Sequence, residues 1–183
     1  MTHLVQPVTK NDHIQGRLTA PIHLVVYGDY ECPYTRLAMT HVKGLQRRLG
    51  NDLCFVYRHF PAPEHIHPHA WAASEAALAA ETQNKFWEMH EQLFKHQKAL
   101  EIENLEAYAQ TLALDLAQFR DEIHEHTHQA RLQASVEGGM SSGVKTLPTF
   151  FINGVRYDGD LRLKALLATV EQTTNTNNLL SNH

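Results

Sequence analysis

The chain has 183 residues, enough for one domain of roughly 150 residues with an insertion, and it should bury roughly 70% of its unfolded surface. Sixteen Lys and Arg against 20 Asp and Glu give a formal charge of −4, which argues against a nucleic-acid protein with a basic face. A mean hydropathy of −0.39, with no apolar run near ~18 residues, excludes a membrane-spanning helix, and 43% hydrophobic residues exclude a wholly disordered chain.

Fourteen histidines could carry the charge from −4 to about +10, so surface charge should depend on pH below about 6.5. The two cysteines, Cys32 and Cys54, are too few for a disulfide scaffold. The N-terminus, Met1-Thr2-His3-Leu4-Val5, lacks a basic lead into an apolar stretch of roughly 7–15 residues. The expectation is a cytoplasmic protein as the sequence stands, or a periplasmic one if a leader was removed.

The first sixteen residues suggest one edge strand around His3–Val8, closed at Gly16. Pro21–Tyr27, rich in Ile, Leu and Val, reads as a buried strand punctuated by Gly28-Asp29. Pro33 suits a first helical turn, and Ala38, Val42, Leu45 and Leu49 follow on one helix face, with Arg47 and Arg48 in the last turn and Gly50 as a stop. Leu53–Phe60 is the next strand, ended by Pro61-Ala62-Pro63. This β-α-β unit should have parallel strands and a right-handed crossover.

From His67 to Gly139 the pattern is helical. Pro68 opens an Ala-rich helix with Trp71, Ala77 and Leu78, and Asn84 is a candidate cap for a second with Phe86, His90, Leu93 and Phe94. Leu105, Tyr108, Ala109 and Leu112 mark a third; Asp115 caps a fourth with Leu116, Phe119 and Ile123, and Gly138-Gly139 ends the series. Phe150–Ile152 and Val155–Tyr157 form a hairpin through Asn153-Gly154. Asp160 caps a last helix with Leu163, Leu166, Leu167 and Val170 inward, and Glu171–His183 should fray. The order predicts an α/β, thioredoxin-like fold: residues 1–61 with 142–183 as core, and a helical insertion over 62–141 between the β-α-β and β-β-α halves.

Cys32 falls where the first strand gives way to the helix. There the helix dipole and free N–H groups favour a thiolate and make a cysteine reactive. Glu31 opposes this by like charge unless it turns away.

Tyr-Gly-Asp-Tyr-Glu-Cys-Pro-Tyr at 27–34, Arg-His-Phe-Pro at 58–61, His-Pro-His-Ala at 67–70, Phe-Trp-Glu-Met-His at 86–90 and Leu-Pro-Thr-Phe-Phe-Ile-Asn-Gly at 147–154 resemble the DsbA-like branch of the thioredoxin superfamily. The resemblance spans Pro21 to Val170 in matching order. It implies thiol–disulfide exchange on protein or peptide substrates, with Cys32 as nucleophile. It also implies a cis-proline at Pro148, substrate contacts from the Leu147 backbone, and further contacts from Pro33 and Tyr34. Two departures stand out: Thr35 replaces the family's resolving cysteine, and Val26 replaces a buried acid six residues before the nucleophile. Arg58, the basic residue that accompanies that acid, is then expected to lack its partner.

Cys54 does not replace the missing thiol, because five residues of strand place it roughly 16 Å from the active edge. It reads as a core cysteine. Thr35, one turn from Cys32, could donate to its thiolate but cannot attack a mixed disulfide. Release therefore needs an outside thiol, with glutathione the candidate co-substrate. The alternatives are a redox-silent peptide-binding or chaperone module and a glutathione-dependent transferase or isomerase.

His65, His67 and His69, and His124, His126 and His128, have metal-like spacing, and His124 and His128 would share a helix face. Solvated polar faces explain them more simply, so neither a metal nor a cofactor is assigned. His59 and His69 are candidates to lie near Cys32.

Overall fold

A computed structural model describes residues 2–180, with side chains through Thr173. Among the described residues it holds five strands and seven helices. In chain order these are β1 (His13–Gln15), β2 (Ile22–Gly28), α1 (Pro33–Leu49), β3 (Leu53–His59), α2 (Ala70–Thr82), α3 (Phe86–Lys95), α4 (Ile102–Thr111), α5 (Leu116–His124), α6 (Gln129–Ser141), β4 (Thr149–Ile152), β5 (Val155–Tyr157) and α7 (Leu163–Leu180). The strands form one sheet in the order β1-β3-β2-β4-β5. The fold is mixed α/β and thioredoxin-like, as the β-α-β and β-β-α halves predict.

The chain divides into two compact units: residues 1–27, 34–58 and 141–183, and residues 28–33 with 59–140. In the first, Ala38, Val42 and Leu45 of α1 and Leu166 and Val170 of α7 are buried at the predicted positions. Asn153 and Gly154 both adopt positive φ, 47° and 79°, as a two-residue hairpin turn requires. The Asn153 side chain then ties the turn to β2, accepting from His23 N (2.7 Å) and donating to Pro21 O (3.1 Å).

Two expectations about the chain ends are corrected. The N-terminal strand is β1, whose His13 pairs with Tyr57 of β3, while His3 makes only an isolated bridge to Val155. A Cβ on Gly16 would strike the Leu53 carbonyl, so glycine closes β1. Helix α7 continues through Leu180, past the polar residues expected to fray; residues 181–183 lie outside the described residues.

Arg58 is not without a partner. Its guanidinium donates to both Asp12 carboxylate oxygens (2.7 and 3.2 Å), to the Gln6 and Pro7 carbonyls, and to the Tyr27 hydroxyl. Burial works against the charge, but the bonds and charge of Asp12 outweigh it, aided by Tyr27, and hold Arg58 above its usual range. The N-terminal segment thus supplies the carboxylate that β2 lacks at Val26.

In the second unit, α2 buries six alanines together with Ser74, Glu75 and Leu78, and α3 buries Phe86, Met89, His90, Leu93 and Phe94. Asp115 caps α5 as predicted, accepting from Ala117 N and Gln118 N. Asn84 does not cap α3. It ends α2 in the left-handed region (φ 60°), with Asn84 N bonded to Glu81 O and Lys85 N to Ala80 O, a Schellman motif. Ala113 and His126 end α4 and α5 in the same way.

The His126 turn corrects the histidine geometry as well. It breaks the helix between His124 and His128, so the two do not share a helix face. His124, His126 and His128 each bond a carboxylate, on Glu125, Glu75 and Glu122 respectively. Among the described residues no three His, Cys, Asp or Glu side chains gather as metal ligands. Gly138 and Gly139 do not end the block either. Both are buried inside α6, and the positive φ of 76° falls later, at Gly143.

Two outcomes follow. Asp12→Ala leaves a buried guanidinium without its anion and should cost about 3 kcal/mol, read from urea unfolding; unchanged stability would contradict the pairing. Burial disfavours ionised Glu122, but bonds from His128, Gln118 and Thr82 outweigh it and hold its carboxyl below the usual range. The stability it contributes is therefore present above the ordinary carboxyl range and lost as pH falls through the folded-state value. Glu122→Gln should flatten the loss between pH 6 and 3 by about 0.5–1 kcal/mol, measured by unfolding at each pH.

Candidate active site

Strand β2 delivers the chain through Gly28 into the loop 29–32, and α1 begins at Pro33. Cys32 is buried, 5% exposed, immediately before α1. Pro33 and Tyr34 are exposed, Tyr34 by 70%. Thr35, in the first turn of α1, is fully buried. Neither Cys32 nor Cys54 forms a disulfide, and Cys54 is fully buried in β3. Burial, then the Asp12 charge, pushes the Cys54 thiol up from its ordinary value.

The loop is held by its own acidic side chains and by residues far along the chain. Asp29 is fully buried. One of its carboxylate oxygens accepts Glu31 N (2.7 Å), and the other accepts Ala62 N (2.8 Å) and His67 Nδ1 (2.7 Å). Glu31, expected to oppose a neighbouring thiolate, turns to His69 and accepts both its backbone N (2.8 Å) and its Nδ1 (3.0 Å). The Gln97 amide donates to the carbonyls of Tyr30 (2.7 Å) and Cys32 (2.8 Å). Tyr30 is bonded to His90 Nδ1 at 3.0 Å, and its ring packs against Phe94, His90 and His59. Burial pushes its hydroxyl well above the ordinary value.

The two histidines predicted near Cys32 therefore act on loop residues: His69 through Glu31, and His59 through the Tyr30 ring. His67 has the clearer structural role, on Asp29. A sequence signal existed for Asp29, an aspartate directly after a strand and two residues before a bonded N–H. None existed for Gln97, which lies 65 positions beyond Cys32.

Leu147 and Pro148 are half-buried at the entry to β4, and the peptide between them is cis. In the sheet register Tyr27 pairs with Thr149, so the last residue of β2 before Gly28 lies opposite the residue that follows Pro148.

The predicted bond from Thr35 to Cys32 is not formed, because the Thr35 hydroxyl has no hydrogen-bond partner. A buried hydroxyl without a partner carries its full desolvation cost.

A thioredoxin family model matches residues 8–172. The chain belongs to the thioredoxin family. Its fold is that of the DsbA-like branch. A thioredoxin-like oxidoreductase from Silicibacter pomeroyi superposes with a TM-score of 0.79 at 24% identity, covering 91% of this chain and 94% of that one. BdbD from Bacillus subtilis gives 0.80 at 17% identity, over 94% and 97% of the two chains. The α-DsbA1 of Wolbachia pipientis gives 0.76 at 18% identity, over 94% and 95%. Among curated proteins, the chain is 41% identical over 168 residues to a Na(+)/H(+) antiporter NhaA 1 of Salinispora arenicola, covering 91% of this chain and 26% of the relative. It is 37% identical over 171 residues to the corresponding protein of Mycolicibacterium vanbaalenii, covering 92% and 28%. The chain thus spans about a quarter of the length of the curated relatives it matches. No helix among the described residues is long and apolar enough to cross a membrane.

Thr35→Val replaces the partnerless hydroxyl with a methyl of the same shape. It should leave the protein at least as stable, with a gain of about 1 kcal/mol, measured by urea unfolding. A loss of stability would show that the hydroxyl is satisfied in solution.

Proposed function

We propose that the chain is a thiol–disulfide oxidoreductase that works through Cys32 alone. The observation that carries this reading is a cysteine placed directly before a 17-residue helix whose first turn holds threonine, not a second thiol, while Cys54 lies buried in β3. The names of the fold neighbours, oxidoreductases and DsbA proteins, support the class of reaction. Ion transport, named for much longer relatives, is not assigned to this stretch.

The Cys32 thiolate attacks one sulfur of a protein or peptide disulfide. One Cys32–sulfur bond forms, the substrate's sulfur–sulfur bond breaks, and the other substrate sulfur leaves as a thiolate and takes up a proton. An outside thiol, glutathione by preference, then attacks the mixed disulfide and returns Cys32 to the thiolate. Pro33 and Tyr34, exposed directly after Cys32 in the sequence, and the Leu147 backbone before cis Pro148 are the residues we assign to substrate contacts. Thr35 fills the place of a resolving thiol and contributes no nucleophile. A peptide-binding role is the second reading, favoured by the exposure of Tyr34 (70%) and Leu37 (57%) on α1.

Incubation with oxidised glutathione, followed by intact and peptide mass spectrometry, tests the first reading. It predicts one glutathione, on Cys32, that is removed by reduced glutathione and absent from Cys32→Ser. A protein that stays unmodified would sink the redox reading and leave the binding module.

A further inference from the structure

We propose that Gln97 is a positioning residue for Cys32: its amide fixes the peptide planes on either side of Glu31 and Cys32, and so sets how the thiol is presented at the start of α1. The proposal rests on the reading of Cys32 as the reacting thiol.

The geometry is specific. The Gln97 amide nitrogen has two protons, and they go to the Tyr30 carbonyl at 2.7 Å and the Cys32 carbonyl at 2.8 Å. Those carbonyls bracket the two residues whose torsions orient the Cys32 side chain. The amino-terminal side of the loop has its own ties, Glu31 N to Asp29 Oδ1 (2.7 Å) and Cys32 N to Asp29 O (3.3 Å). Gln97 acts on the carbonyl side, next to the sulfur-bearing residue.

Gln97 is itself rigidly held. It sits in a turn after α3, closed by Ala99 N to His96 O at 2.8 Å. The His96 ring stacks on Tyr108 of α4 at 5.2 Å, and the Tyr108 hydroxyl donates to Ala99 O at 2.7 Å. Upstream, α3 is anchored by buried Leu93 and Phe94, and Phe94 packs on the Tyr30 ring at 4.9 Å. The turn and the helix before it thus grip residues 30–32 by ring and by backbone together. This exceeds what a surface glutamine needs for solubility.

The test compares Cys32 in the wild type, Gln97→Met and Gln97→Glu. Gln97→Met keeps length and removes both donors. Gln97→Glu sets a carboxylate against two carbonyls, and regains one O–H donor when protonated. The rate of Cys32 alkylation by iodoacetamide is followed by peptide mass spectrometry from pH 5 to 8, with urea unfolding of each variant alongside. The expected result is an alkylation rate about tenfold lower in Gln97→Met. For Gln97→Glu, the rate relative to wild type should climb as pH falls. A role in folding alone would shift unfolding and leave that ratio flat, which would overturn the proposal. Wild-type rates in both variants at every pH would also overturn it. If Gln97→Met does not fold, the pH course of Gln97→Glu decides. Oxidised glutathione is run in parallel: a wild type that alkylates but adds no glutathione counts against the redox reading, and the iodoacetamide comparison still decides the position of Gln97.

Discussion

A buried carboxylate must find donors or cost several kcal/mol, and that constraint at Asp29 organises the loop that carries Cys32. Its oxygens take the N–H of Glu31 from its own turn, the N–H of Ala62 from the segment after β3, and Nδ1 of His67 from the approach to α2. With Asp29 placed, Glu31 can reach the start of α2 at His69, and Tyr30 can enter the aromatic cluster of α3. Cys32 then directly precedes Pro33, the first residue of α1. The loop is therefore shaped from several directions by groups distant in sequence, and its form does not depend on a second cysteine.

The sheet-bearing unit meets the same kind of problem at Arg58. All seven residues of β3 are buried, so a guanidinium there needs an anion and acceptors. Asp12, the Gln6 and Pro7 carbonyls and Tyr27 supply them, which ties the N-terminal segment to β3. Val26 is an ordinary core residue. The chain carries neither an acid at position 26 nor a thiol at position 35: the charge on Arg58 is balanced by Asp12, and the position three residues after Cys32 carries a group without redox chemistry.

Much of this was legible in the sequence because period and punctuation carry it. The apolar run before Gly28, the face formed by Ala38, Val42 and Leu45, and the Asn153-Gly154 turn each have one physical reading. Cys32 was legible because a cysteine before Pro33 at a strand–helix junction has a reactive meaning. The helix ends in the second unit were harder to read, because Asn84, Ala113 and His126 adopt positive φ for Schellman closures that residue type alone does not announce. Gly138 and Gly139, which look like a stop, lie buried in α6. The partners of the loop and of Arg58 were the least legible. Asp12, His67, His69 and Gln97 act through tertiary placement over tens of residues, and no local pattern reports which carbonyl or guanidinium a distant side chain will meet.

Cys32 is proposed to turn over without a second thiol of the chain, since Thr35 has no sulfur and Cys54 is buried. The most direct measurement is the rate at which a preformed Cys32–glutathione disulfide is released, taken against the concentration of reduced glutathione. The account predicts a rate proportional to that concentration, with an intercept of zero. A release rate that persists without added thiol, with Cys32 and Cys54 joined in the product, would contradict it.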